Sequence, residues 1–255
     1  MGPAVLPRPR IHIFSTGGTV GMTPGDPGPM VPSRVADNLL SYVSGLEREL
    51  DVSAESLWNL DSSDLGPPHW DALAAAIAAR LGNTGAEAVS GIVVAHGTDT
   101  MAWTASALAL ALRGLSRPVV LTGAQRPIAS VRTDAPENVV NAALCAAMDI
   151  PEVSLYFGRF LYRGCRATKT SIQSYEAFES PDCPPLVEMG VEVRHIKTPL
   201  RGPGPLRLET GFDPRVVIVP VVPGGSPALL EAAVASGNRG VVVLADPGSA
   251  TYRRE

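Results

Sequence analysis

Hydroxyl groups stand beside glycines at two places where acyl transfer could use them. Ser15-Thr16-Gly17-Gly18-Thr19 follows a short apolar run at residues 11–14. A strand ending in such a turn can present a hydroxyl nucleophile with backbone N–H groups beside it, as an acyl-transfer enzyme requires. The same pattern also suits a phosphate-binding turn or a plain connection, because glycine lets a ligand approach the main chain closely. The second place is His96-Gly97-Thr98-Asp99-Thr100, which ends the apolar run at 91–95. Two further groups carry chemistry. Asp61-Ser62-Ser63-Asp64 reads on its own as a capping turn. Lys169 sits among small polar residues, where it is either a solvated lysine or a base and proton relay.

The elements that must position these groups follow from periodicity. Apolar runs at 91–95, 118–122 and 153–157 are strands buried on both faces. Helical spacing appears at 35–50, 70–81, 101–112 and 136–148. Residues 57–60 lead into the Asp61–Asp64 turn, and residues 22–34, rich in proline and glycine, read as an aperiodic loop. From residue 161 the pattern becomes irregular. A strand, helix and strand at 216–222, 227–235 and 240–245 close the chain. The alternation predicts an α/β fold, with a doubly wound, mainly parallel sheet in a large N-terminal domain and a small C-terminal βαβ domain. The boundaries read are 1–190 for the first domain, 191–214 for a linker and 215–255 for the second. Ligands bind such sheets at the carboxyl ends of the strands, and both hydroxyl-rich turns fall there.

Bulk properties exclude several classes. Of the 255 residues 45% are hydrophobic and 18% charged, as in a globular chain with a core. A net charge of −4 offers no general attraction to nucleic acid or an anionic membrane. No apolar run approaches the ~20 residues of a membrane span, and residues 1–10 do not form a secretion signal. The three cysteines, Cys145, Cys165 and Cys183, lack metal-ligand spacing. The expected location is the cytoplasm.

Taken together, Ser15-Thr16-Gly17-Gly18-Thr19-Val20 and His96-Gly97-Thr98-Asp99-Thr100-Met101 closely resemble the signature segments of the bacterial L-asparaginase/glutaminase family. Asp61-Ser62-Ser63-Asp64 and Ala167-Thr168-Lys169-Thr170 agree, and Ala177-Phe178-Glu179-Ser180-Pro181 resembles the cytoplasmic type I branch. The resemblance implies hydrolysis of L-asparagine to L-aspartate and ammonia. Thr16 matches the nucleophile that forms a β-aspartyl ester. Thr98, Asp99 and Lys169 match a relay triad. Asp99 also matches the carboxylate that binds the substrate's α-ammonium, while Ser62 by its hydroxyl and the Ser63 region partly by its backbone match its α-carboxylate site. The backbone N–H of Thr98 is then an oxyanion donor, and His96 is structural. A homo-oligomer acting on a small molecule is implied, with no metal or organic cofactor.

Two departures are visible. The family's loop after the Thr-Gly-Gly-Thr turn carries a tyrosine that contacts the nucleophile, and alignment puts Met30 at or near its position. A thioether cannot relay a proton, and losing a positioned acid/base costs roughly 10²–10⁴ in rate. The C-terminal domain is also shorter than the family's, leaving a truncated unit with unpaired strand edges. These departures keep two rivals open: a non-catalytic amino-acid-binding homologue, and an amidase for another small amide.

Overall fold

The computed structural model describes residues 7–18, 22–25, 28–32 and 45–245, for the two middle stretches the backbone alone. It divides into two compact units, 1–210 and 211–255. The first is built on an eight-stranded sheet. Its parallel part consists of β1 (Arg10–Gly17), β4 (Asp51–Leu60), β5 (Gly91–Ala95), β7 (Val119–Thr122) and β8 (Val153–Phe157). They lie in the order β4-β1-β5-β7-β8. Three antiparallel strands, β9 (Phe160–Arg163), β12 (Val187–Met189) and β13 (Val193–His195), extend the β8 edge. The chain moves from β1 to β4 on one side and then crosses to β5 on the other. The order therefore reverses between β1 and β5, where a parallel sheet opens a crevice at its carboxyl ends.

The strands form because their residues are apolar on both faces, β5 being buried throughout. On one face Ile11, Ile13, Val93, Ala95 and Val120 pack against Val139, Ala142 and Ala146 of helix α3 (Ala135–Ala146). The other face is closed by α1 (Pro67–Gly82) and α2 (Met101–Ala111), with Leu73, Ile77, Met101, Ala105 and Leu108 buried. Among the described residues no helix is long and apolar enough to cross a membrane.

Several expectations are corrected. The loop read at 22–34 contains an antiparallel ribbon, β2 (Met22–Gly25) with β3 (Gly28–Pro32). A two-stranded ribbon has only edges, where proline is tolerated. Met30 pairs with Pro24 in that ribbon; its side chain lies outside the described residues. Of the helix read at 35–50, residues 35–44 also lie outside them, and the described end is a single 3-10 turn, Leu46–Arg48. Residues 57–60, read as the lead into the Asp61–Asp64 turn, are the end of β4, which starts at Asp51; an edge strand half-buried on one face carries serine and glutamate on the other. The stretch after 161, read as irregular, supplies β9, β12 and β13. Residues 193–195 and 207–208, read as linker, are hydrogen-bonded strands of the first unit: β13, and β14 (Arg207–Leu208), which pairs with β6 (Leu112–Arg113).

The second unit pairs β15 (Val216–Pro220) in parallel with β16 (Gly240–Leu244), joined by α4 (Ala228–Ala235). This is the βαβ arrangement read from the sequence. Val216, Val243 and Leu244 are about half exposed.

Candidate active site

The reversal point gathers three loops: those after β1, β4 and β5. Their close approach depends on glycine. Gly17 and Gly18 have φ of 104° and 79°, the left-handed region that other residues avoid. A Cβ on Gly18 would lie 2.4 Å from Gly97 Cα, and one on Gly97 would lie 2.6 Å from Ser62 Cβ. Gly18 N–H also donates to Leu60 O at the end of β4. The three loops are thus in backbone contact, which brings the turns of Thr16, Ser62 and Thr98 to one place.

Thr16 is buried at the carboxyl end of β1, and its hydroxyl donates to Ala95 O over 3.3 Å. Ser62 is buried in the 3-10 turn Ser62–Asp64, with its carbonyl accepting from Thr100 Oγ1 at 2.6 Å. Asp61 caps that turn by accepting from Ser63 N–H at 2.8 Å. Ser63 is exposed, and with its N–H so engaged the donor left to it is its hydroxyl.

Thr98, Asp99 and Lys169 are joined directly. Lys169 Nζ donates to Thr98 Oγ1 at 2.8 Å and to Asp99 Oδ1 at 2.7 Å. The lysine reaches them from β10 (Thr168–Lys169), a two-residue strand paired with β11 (Phe178–Glu179). Opposite Lys169 stands Phe178, which is buried and anchors the hairpin. Lys169 is 14% exposed and Asp99 66%, so the carboxylate holds the ammonium and still faces solvent. Thr16 makes no hydrogen bond to this triad among the described residues.

Two site neighbours escaped the reading by spacing. Gln125 follows β7 on the same rim and accepts from Thr98 Oγ1 at 3.4 Å. Asp134 accepts from Gln125 N–H at 3.0 Å and holds that loop. Their one sequence signal was position, the loop after β7 being the next along the rim from β5. His96 is fully buried, and its Nδ1 lies 2.7 Å from Gly97 O. Burial pulls its pKa down to about 4, so it is neutral near pH 7. Among the described residues no cluster of His, Cys, Asp and Glu is arranged to hold a metal ion.

The sequence model described as Asparaginase, N-terminal, matches residues 10–201. The chain belongs to the asparaginase family. It is 37% identical over 225 residues to L-asparaginase 1 of Escherichia coli K12, an alignment covering 86% of this chain and 65% of that protein. The chain therefore spans just under two thirds of that relative's length. The crystal structure of L-asparaginase I from Vibrio cholerae superposes with a TM-score of 0.85 at 30% identity, covering 97% of this chain and 75% of that one. The thermostable L-asparaginase of Thermococcus kodakarensis gives a TM-score of 0.83, also at 30% identity, covering 94% and 74%. The resemblance read from Thr16–Thr19 and His96–Thr100 was to this asparaginase family, and the type I relatives agree with it.

Proposed function

We propose that this asparaginase-family protein hydrolyses the side-chain amide of L-asparagine, giving L-aspartate and ammonia. The observation that carries the reading is the Thr98–Asp99–Lys169 triad, standing beside the Thr16 turn at the reversal point of the sheet. Binding alone requires a carboxylate and donors for a zwitterion. It does not require a lysine held on a second threonine.

Thr16 Oγ1 leaves the Ala95 carbonyl and attacks the amide carbon, forming the C–O bond of a tetrahedral adduct. Thr98 N–H stabilises the oxyanion. The proton given up by Thr16 passes through the triad to the leaving nitrogen, the C–N bond breaks and ammonia departs. Water then adds to the ester, its proton returns to Thr16, and aspartate is released. The exposed side of the Asp99 carboxylate takes the substrate's α-ammonium, and the hydroxyls of Ser62 and Ser63 take its α-carboxylate. We further infer a cytoplasmic homo-oligomer that needs no metal or organic cofactor.

Ammonia release from L-asparagine, compared with Thr16→Ala and with release from L-glutamine, tests the reading. Loss in the mutant and preference for asparagine support it. Asparagine-dependent thermal stabilisation without ammonia release identifies a binding homologue and overturns it.

A further inference from the structure

We propose that Gln125 is a positioning residue that sets the direction of the Thr98 hydroxyl proton and ties the relay to the segment carrying Lys169. The proposal rests on the hydrolase reading and goes one residue beyond its triad.

A threonine hydroxyl has one hydrogen to give. Thr98 Oγ1 accepts from Lys169 Nζ at 2.8 Å, which leaves its own proton for another partner, and Gln125 Oε1 lies 3.4 Å away. The far side of the same amide fixes which end faces Thr98. Gln125 Nε2 donates to Ser171 O at 3.3 Å and to Ser174 O at 3.0 Å. Carbonyl oxygens only accept, so the NH2 end must face them and the oxygen must face Thr98. Turning the amide over would set its oxygen against two carbonyls and two N–H groups against the lysine-bound hydroxyl.

The backbone is clamped as firmly. Asp134 Oδ2 accepts from Gln125 N–H at 3.0 Å and from Asn138 Nδ2 at 3.1 Å, while Asp134 Oδ1 accepts from Arg126 N–H at 3.1 Å. Ser171 and Ser174 follow closely on Lys169, so one side chain braces both the relay threonine and the stretch behind the lysine. A hydroxyl–oxygen separation of 3.4 Å is long. The Thr98 proton is therefore oriented before substrate arrives and given up at small cost when the reaction draws on it.

Two variants separate this role from simple bracing. Gln125→Met keeps the length and the stem but removes acceptor and donors. Its kcat for ammonia release should fall at least tenfold, with KM within threefold, because Gln125 lies outside the groups assigned to the α-ammonium and α-carboxylate. Gln125→Glu, when ionised, turns an oxygen on the Ser171 and Ser174 carbonyls. When protonated it donates to one of them and still accepts from Thr98. The kcat of this variant relative to the unaltered protein should rise as pH falls through the carboxylate range. A third readout needs no turnover. The chain contains two lysines, Lys169 and Lys197, so NMR of 13C-labelled lysine resolves Lys169 directly. Gln125→Met should move its 13Cε resonance, because the Thr98 hydroxyl that accepts from Lys169 Nζ is then reoriented. If the unaltered protein releases no ammonia, the hydrolase reading fails while the lysine resonance still judges Gln125. An unchanged kcat in Gln125→Met, a flat pH ratio in Gln125→Glu or an unmoved Lys169 resonance overturns the proposal.

Discussion

Gly97→Ala should disable the site while leaving the fold in place. A Cβ there would stand 2.6 Å from Ser62 Cβ and 2.7 Å from Ser62 Oγ, against the ~3.5–4.0 Å at which carbon atoms normally touch. Something must move by about 1 Å. Ser62 cannot yield freely, because it is buried, its carbonyl is held by Thr100 Oγ1 and the Asp61 cap fixes its turn. Overpacking of this kind costs about 1–3 kcal/mol. For a chain of this size that corresponds to a fall in Tm of roughly 2–12 °C. The functional cost should be larger, since a misplacement of about 1 Å between catalytic groups can cost ~10²-fold. The assay is kcat/KM for ammonia release alongside the melting curve. Gly82→Ala at the end of α1 is the control, as its Cβ would meet nothing within 4 Å. Gly97→Ala with unaltered kcat/KM would refute the claim that glycine contact between the Ser62 and Thr98 loops assembles the site.

Lys169→Met should lower kcat by about 10²–10⁴ and move Tm by only a few degrees, read by ammonia release and calorimetry; retained kcat would count against the relay. Stability should fall in acid. Folding lowers the His96 pKa from 6.5 to about 4 by burial, so the unfolded chain takes the proton first. The contribution is fully present above pH 6.5 and is lost as pH falls toward 4, amounting to about 3 kcal/mol. His12, buried against Arg80, shifts in the same direction. Urea unfolding across that range should show the slope, and His96→Gln should flatten it. Glu152→Ala should cost about 3–5 kcal/mol. Glu152 binds Arg163 Nε at 2.5 Å and Nη2 at 3.0 Å, both side chains being about one-tenth exposed, so the variant strands a buried guanidinium. Calorimetry should show the drop, and an unchanged Tm would mean that water reaches Arg163.

Much of the fold was legible because the central strands bury both faces. The runs at 91–95 and 118–122 admit no polar residue until they reach the rim, so their ends, and hence Thr98, could be placed. The edges were not legible. β4 carries Ser53, Glu55 and Ser56 because one face is wet, and its alternation hid in a polar composition. β10 and β11 pair over two residues each, which leaves no period to read. Lys169 therefore looked like any lysine until the family resemblance set it beside Thr98. The orientation of Gln125 was beyond any spacing rule, because it is fixed by carbonyls of Ser171 and Ser174 far along the chain.

The central claim is tested most directly by measuring ammonia release from L-asparagine by the purified protein and by Thr16→Ala. The account predicts turnover in the unaltered chain, with an aspartyl ester trapped on Thr16 by acid quench and seen by mass spectrometry, and neither in the mutant. A folded protein that binds asparagine yet releases no more ammonia than Thr16→Ala would contradict it.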